Sequence, residues 1–181
     1  MKEKIDKSLN KLNNVILWIS NCDAKSSFAL ALLGVLVTII FASTIGSEML
    51  EIFNYKKAES IDWASVKYFI RVISVIVFIA GIVVTVSFIY MTLKGRISPN
   101  VYKENKLKTD SNIFFGTISN KKFELFETET NSENETDYLN DINSQIFINS
   151  KIANVKFKNY NRSLISIIIT LGGLLLFIIL K

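Results

Sequence analysis

Apolar residues gather in three runs, 26–45, 68–93 and 164–180, separated by polar sequence. A helix rises about 1.5 Å per residue, so each run is long enough to cross a hydrocarbon core of roughly 30 Å. The pattern predicts an all-α membrane protein. It divides into a cytoplasmic amphipathic helix (1–25), transmembrane helix 1 (26–45), an outer connection (46–67), transmembrane helix 2 (68–93), a cytoplasmic segment (94–163) and transmembrane helix 3 (164–180).

The polar flanks carry their own periodicity. Ile5, Leu9, Leu12, Ile16 and Ile19 alternate in steps of four and three, the seam of an amphipathic helix running into the first span. Continued, the spacing reaches Asp23 and Ser26. From about Glu135 a helical pattern runs unbroken into the third span, a helix of about 45 residues and roughly 65 Å. Its seam reads Ile142, Ile146, Asn149, Ala153, Lys156 and Tyr160. The first and third spans should therefore extend into a parallel cytoplasmic helical stalk, with a small irregular/α insert folded against it. A carboxylate on a buried seam needs a partner. Asp23 is expected to face Asn149 and Lys156, as a small polar pocket or as a structural ion pair that fixes register.

Between the second span and that last helix, Ser98-Pro99-Asn100 reads as a helix stop and 103–110 as a charged linker. Segment 112–118 is the one strand-like piece. Ser119-Asn120 is expected to cap a short helix through Phe126. Glu127, Glu129, Glu133, Glu135 and Asp137, in a Thr/Asn/Ser-rich stretch, read as a solvated loop. The outer connection (Met49, Leu50, Ile52, Phe53, Tyr55, Ile61 and Trp63) reads as a short amphipathic helix and turn at the interface.

Gly34, Thr38, Ala42 and Gly46 recur at every fourth position of span one, a small-residue face that brings helices close in lipid and points to a homo-oligomer. Ser74, Gly81 and Thr85 offer a weaker version in span two, and Gly172 and Gly173 in span three. No span has an ionisable residue at its middle; Arg71 sits at an outer flank where it can snorkel. Ion-coupled transport lacks the central charges it needs.

Composition narrows the chemistry further. The 181 residues are half apolar, with no His and one Cys. A zinc or other metal site, a His-based catalytic pair and a disulfide framework are all missing from that inventory. No catalytic residue, cofactor or enzyme activity is expected, and Cys22 reads as an apolar filler. The net charge of +5 is spread along the chain rather than clustered for nucleic acid. Basic residues crowd the N-terminal segment and 94–163, while the outer connection pairs three lysines with Glu48, Glu51, Glu59 and Asp62. By the positive-inside rule the N-terminus and the large polar segment are cytoplasmic and the C-terminus is outside. The first run, longer than a signal-peptide core and preceded by about 25 patterned residues, is expected to stay in the mature chain.

Four short elements resemble the transmembrane effectors of Pycsar, the bacterial cyclic-pyrimidine anti-phage system. Asp23-Ala24-Lys25-Ser26 is similar to the family's entry into its first span, and Phe114-Phe115-Gly116-Thr117-Ile118 to its aromatic-aromatic-Gly-x-Ile element. Asp141-Ile142, Gln145-Ile146 and Ser150-Lys151-Ile152 resemble its long helix, and Lys156-Phe157 with Tyr160 its approach to the final span. Phe157, where the family often has Tyr, and the Asn/Glu/Thr-rich stretch 128–136 depart from the pattern. The resemblance implies an effector in the bacterial inner membrane that senses a cyclic nucleotide, cyclic CMP or cyclic UMP, and impairs membrane integrity. In that reading Lys25 or Lys156 meets a phosphate, and Gln145 or Asn149 bonds a base edge. Phe115 stacks on the base and Gly116 permits close backbone approach. The same layout also suits a constitutive holin-like toxin, or a membrane scaffold subunit docking a cytoplasmic partner.

Overall fold

The computed structural model describes residues 1–54 and 63–181. Tyr55, Ile61 and the charged residues Lys56, Lys57, Glu59 and Asp62 of the outer connection lie outside the described residues. Helix α1 spans Lys2–Ala42, α2 Thr44–Glu51, α3 Trp63–Lys94, α4 Phe115–Ile118, α5 Phe123–Ser132 and α6 Glu135–Ile179. Among the described residues there is no strand, and α1, α3 and α6 are long and apolar enough to cross a membrane. The chain forms two compact units, Met1–Asp23 with Gly95–Phe157 and Ala24–Lys94 with Lys158–Lys181. Helices α1 and α6 are unbroken and contribute residues to both.

In the first unit α1 and α6 run parallel. Ser8 donates to Asn143 at 3.2 Å near one end, and Lys156 donates to Asp23 at 2.6 Å near the other. Trp18 and Phe157 meet edge to face, 6.0 Å between centroids. The buried stripe of α1 passes through Ser8, Leu12 and Cys22, with Ile5, Val15 and Ile19 half-buried. The expected seam holds at Ile5, Leu9, Leu12 and Ile19 and fails at Ile16, which is exposed; Val15 and Cys22 also take inward positions. On α6 the stripe includes Ile142, Gln145 and Lys156.

The insert departs from expectation in three places. Ser111 Oγ accepts from the amides of Ile113 and Phe114, both at 3.0 Å, and Thr117 donates to the Ser111 carbonyl at 2.5 Å. These bonds wind the strand-like segment into a turn and α4, in the way that serine and threonine hydroxyls compete with extended structure. Ser119 closes α4 rather than opening the next helix. Helix α5 starts at Phe123 and runs on to Ser132, so much of the expected acidic loop is helical. Glu129 is drawn onto Lys121 at 2.6 Å and Glu133 onto Lys108 at 2.7 Å. Asn134 then caps α6, its Oδ1 accepting from the amides of Thr136 and Asp137 at 3.0 and 2.9 Å.

In the second unit Ser43 breaks α1. Its extended backbone lets its Oγ accept from Ile45 N at 3.3 Å while donating to the Ile40 carbonyl at 2.7 Å. Gly46 consequently lies in α2 and not on the face of Gly34, Thr38 and Ala42. A Cβ there would sit 2.7 Å from Phe41 Cα and 2.8 Å from the Ile40 carbonyl, so glycine allows the tight return of α2. Met49 and Ile52 then complete a core with Ile40, Val75, Phe78 and Phe177. Gly34 meets nothing, and Gly34, Thr38 and Ala42 are exposed in the single chain. The close helix pair is instead α3 with α6. A Cβ on Gly173 would lie 3.1 Å from the Ser74 carbonyl and one on Gly81 would overlap Thr170. Thr85 donates to Ser166 at 2.9 Å and Ser166 to the Gly81 carbonyl at 3.2 Å. Small residues here both admit the approach and cross-link it.

Candidate ligand site in the polar unit

The residues singled out in the sequence fall into distinct places. Lys156 and Asp23 are together: the lysine side chain is 6% exposed, the aspartate 37%. Gly95, just past the end of α3, has φ +55, a left-handed conformation that favours glycine. Its missing Cβ leaves the space occupied by the Lys156 side chain. Three chain segments of this unit therefore meet at Lys156: Asp23 of α1, Gly95 after α3, and α6 itself.

Gln145 is buried, and Asn149 lies half-buried one turn on, donating to the Gln145 carbonyl at 2.9 Å. Phe115 is 78% exposed at the start of α4. Gly116 does serve a close approach, but of the Phe114 ring, which lies where a Gly116 Cβ would project. The Phe114 and Phe115 rings sit 4.7 Å apart. Lys25 belongs to the second unit, where it lines an apolar groove.

What ties the aromatic turn to α6 is a polar network that periodicity did not reveal. Asp141, fully buried, accepts from the Asn112 amide at 2.8 Å and lies 3.6 Å from Lys108 Nζ. The Lys108 amide donates to Ser144 at 2.9 Å. Lys121 is held by Asp110 at 2.8 Å, Glu129 at 2.6 Å and the Asn112 side chain at 2.8 Å. A polar cavity of about 480 Å³ opens among Lys108, Asn112, Glu129, Glu133 and Asp137. Burial pushes Lys108 down, but the bond to Glu133 and the charges of Asp141 and Glu133 outweigh it and hold the ammonium above the ordinary lysine value. Lys121 is likewise pushed down by burial and raised further by Asp110 and Glu129. The sequence signal for this network was Asp141 itself, a carboxylate beside the seam residue Ile142.

The arrangement provides amide donors and an ion pair on α6 and an exposed ring on α4. Among the described residues no group of His, Cys, Asp and Glu is placed to hold a metal ion.

Comparison with known proteins places these features in a family. A family model described as the Pycsar effector protein domain matches residues 7–181. The Pycsar effector protein GmPycTM of Gulbenkiania mobilis is 36% identical over 189 residues, covering 98% of this chain and 94% of that protein. No solved structure is matched. With the spanning helices and nearly the whole length accounted for, the chain belongs to the Pycsar effector family and is a transmembrane effector of anti-phage defence.

Proposed function

We propose that this effector senses a cyclic nucleotide, cyclic CMP or cyclic UMP, through the unit built from 1–23 and 95–157, and responds by impairing the inner membrane as a homo-oligomer. The observation that carries the reading is the continuity of α1 and α6. Each is one unbroken helix with residues in both the polar and the spanning unit. A ligand that favours one pairing of these helices over another shifts the population of the whole helix, without a separate transmitting domain.

The side chains suggest how. A phosphate beside Lys156 competes with Asp23 for the ammonium. Phe115 is exposed for stacking, and Gln145 and Asn149 supply amides for a base edge. Lys25 acts at the bilayer boundary. The basic bias of 94–163 and of the N-terminal segment orients these elements toward the cytoplasm, with the C-terminus outside.

The test is membrane potential in cells expressing the protein, with cyclic CMP or cyclic UMP raised or absent. Depolarisation is expected only with nucleotide. Equal depolarisation without it overturns the gating and favours a constitutive toxin. Stable association with a cytoplasmic protein and no change in potential favours a scaffold.

A further inference from the structure

The second unit carries a groove of about 310 Å³. Its walls are Leu32, Leu36 and Ile40 of α1 and Leu164, Ile167 and Leu171 of α6, with Lys25 and Tyr160 at one end. We propose that this groove is a site for one anionic phospholipid, an acyl chain lying along it and the phosphate held by Lys25 and the Tyr160 hydroxyl.

Three observations select that occupant. The α6 wall from Tyr160 to Leu171 is about 16 Å long and the α1 wall from Lys25 to Ile40 about 22 Å, both shorter than a roughly 30 Å hydrocarbon core, so the groove starts at one interface and ends inside the core. Its lining is aliphatic and aromatic apart from Lys25, Tyr160 and Thr170, which suits a hydrocarbon chain along it and a charged group at one end.

Charge supplies the third. Lys25 lines the groove, and Lys94 at the end of α3 with Lys158 and Arg162 of α6 likewise lie within a few residues of where the chain enters or leaves this unit. Residues 24–47, 63–94 and 158–181 contain no Asp or Glu side chain. The carboxylates of this unit among the described residues are Glu48 and Glu51 of α2, beyond the far end of α1, where Glu48 pairs with Lys181. These cations have no carboxylate side chain of their own unit to pair with, which suits an anionic headgroup in the surrounding bilayer. The exposed face of Gly34, Thr38 and Ala42 is not part of the groove, so subunit contact there leaves the lipid site open.

The experiment is native mass spectrometry of the full-length protein, delipidated in detergent and offered phosphatidylglycerol or phosphatidylcholine with the same acyl chains. Wild type should retain one phosphatidylglycerol per chain with at least a tenfold preference. Lys25→Ala should abolish the preference and Lys25→Arg keep it. Ala29→Leu, on the groove wall, should weaken retention of both lipids, and Ala29→Trp should abolish it. Equal retention of the two lipids by wild type overturns the proposal. So does displacement of phosphatidylglycerol by millimolar inorganic phosphate, which marks a headgroup site without a chain. A change in oligomer mass for the Ala29 variants at unchanged lipid retention assigns the groove to a second copy and overturns it as well.

Discussion

Gly81→Ala adds one methyl group at the closest approach of α3 and α6. The new Cβ overlaps Thr170 Oγ1 and comes within 3.1 Å of its Cβ and 3.3 Å of its Cα, so rotating the threonine relieves only part of the clash. That rotation also breaks the bond from Thr170 Oγ1 to the Ser166 carbonyl, 2.7 Å long. Overpacking typically costs about 1–3 kcal/mol and a lost hydrogen bond about 1 kcal/mol. Against this stands the helix preference of alanine over glycine, about 1 kcal/mol. The net expectation is a loss of about 2 kcal/mol. It can be read as reversible unfolding of purified protein in detergent. Thr170→Ala removes Oγ1 and should restore more than half of the loss in the double variant, because what remains is a few tenths of an ångström at the Cβ. Gly172→Ala is the control: it makes the same chemical change where nothing lies within 4 Å, and should be neutral or slightly stabilising. If Gly81→Ala matches Gly172→Ala within about 0.5 kcal/mol, or Thr170→Ala gives no rescue, the α3–α6 packing argument fails; that margin is about the size of ordinary surface effects.

Gly34→Leu should lower the oligomer mass in detergent while membrane insertion persists, since Gly34 faces outward in the single chain; unchanged mass counts against subunit contact through that face. Asp23→Ala, Lys156→Met and the double variant should give a coupling energy of about 1–3 kcal/mol in a thermal-melt cycle, between values for exposed and buried pairs because Asp23 is only partly covered. Additive effects would mean that the 2.6 Å pair is energetically idle. Lys108 and Lys121 have folded values above the ordinary one, so their stabilisation is complete below the unfolded pKa of about 10.4 and is lost as pH rises through the higher folded values. Proteolysis within 104–134 should therefore accelerate above that range in wild type, and Lys108→Met with Lys121→Met should be cleaved readily already at neutral pH; a flat wild-type profile through pH 11 refutes the role of these lysines.

The spans, the long first and last helices and the family itself were legible in the chain because each depends on local or periodic properties. Apolar length sets a span, steps of three and four set a helical face, and short ordered elements around Asp23, Phe115, Asp141 and Lys156 carry the resemblance. Other features required the fold. Ile16 against Val15 is a choice at a single turn of an otherwise retained seam, which depends on what faces it. Gly46 left its predicted stripe because Ser43 gave its hydroxyl to the backbone and ended α1. The segment at 112–118 became a turn because Ser111 offered a nearer acceptor than any second strand. Which small-residue face is used inside the chain, that of Gly81 and Gly173 rather than Gly34, turns on fractions of an ångström between two helices. Asp141, Lys108 and Lys121 lie far apart in sequence, and only tertiary structure brings their charges into one buried network. The sequence by itself determined that this protein enters the membrane and with which helices; the packing decided which polar groups those helices bring together, because burial and charge pairing act through space and not along the chain.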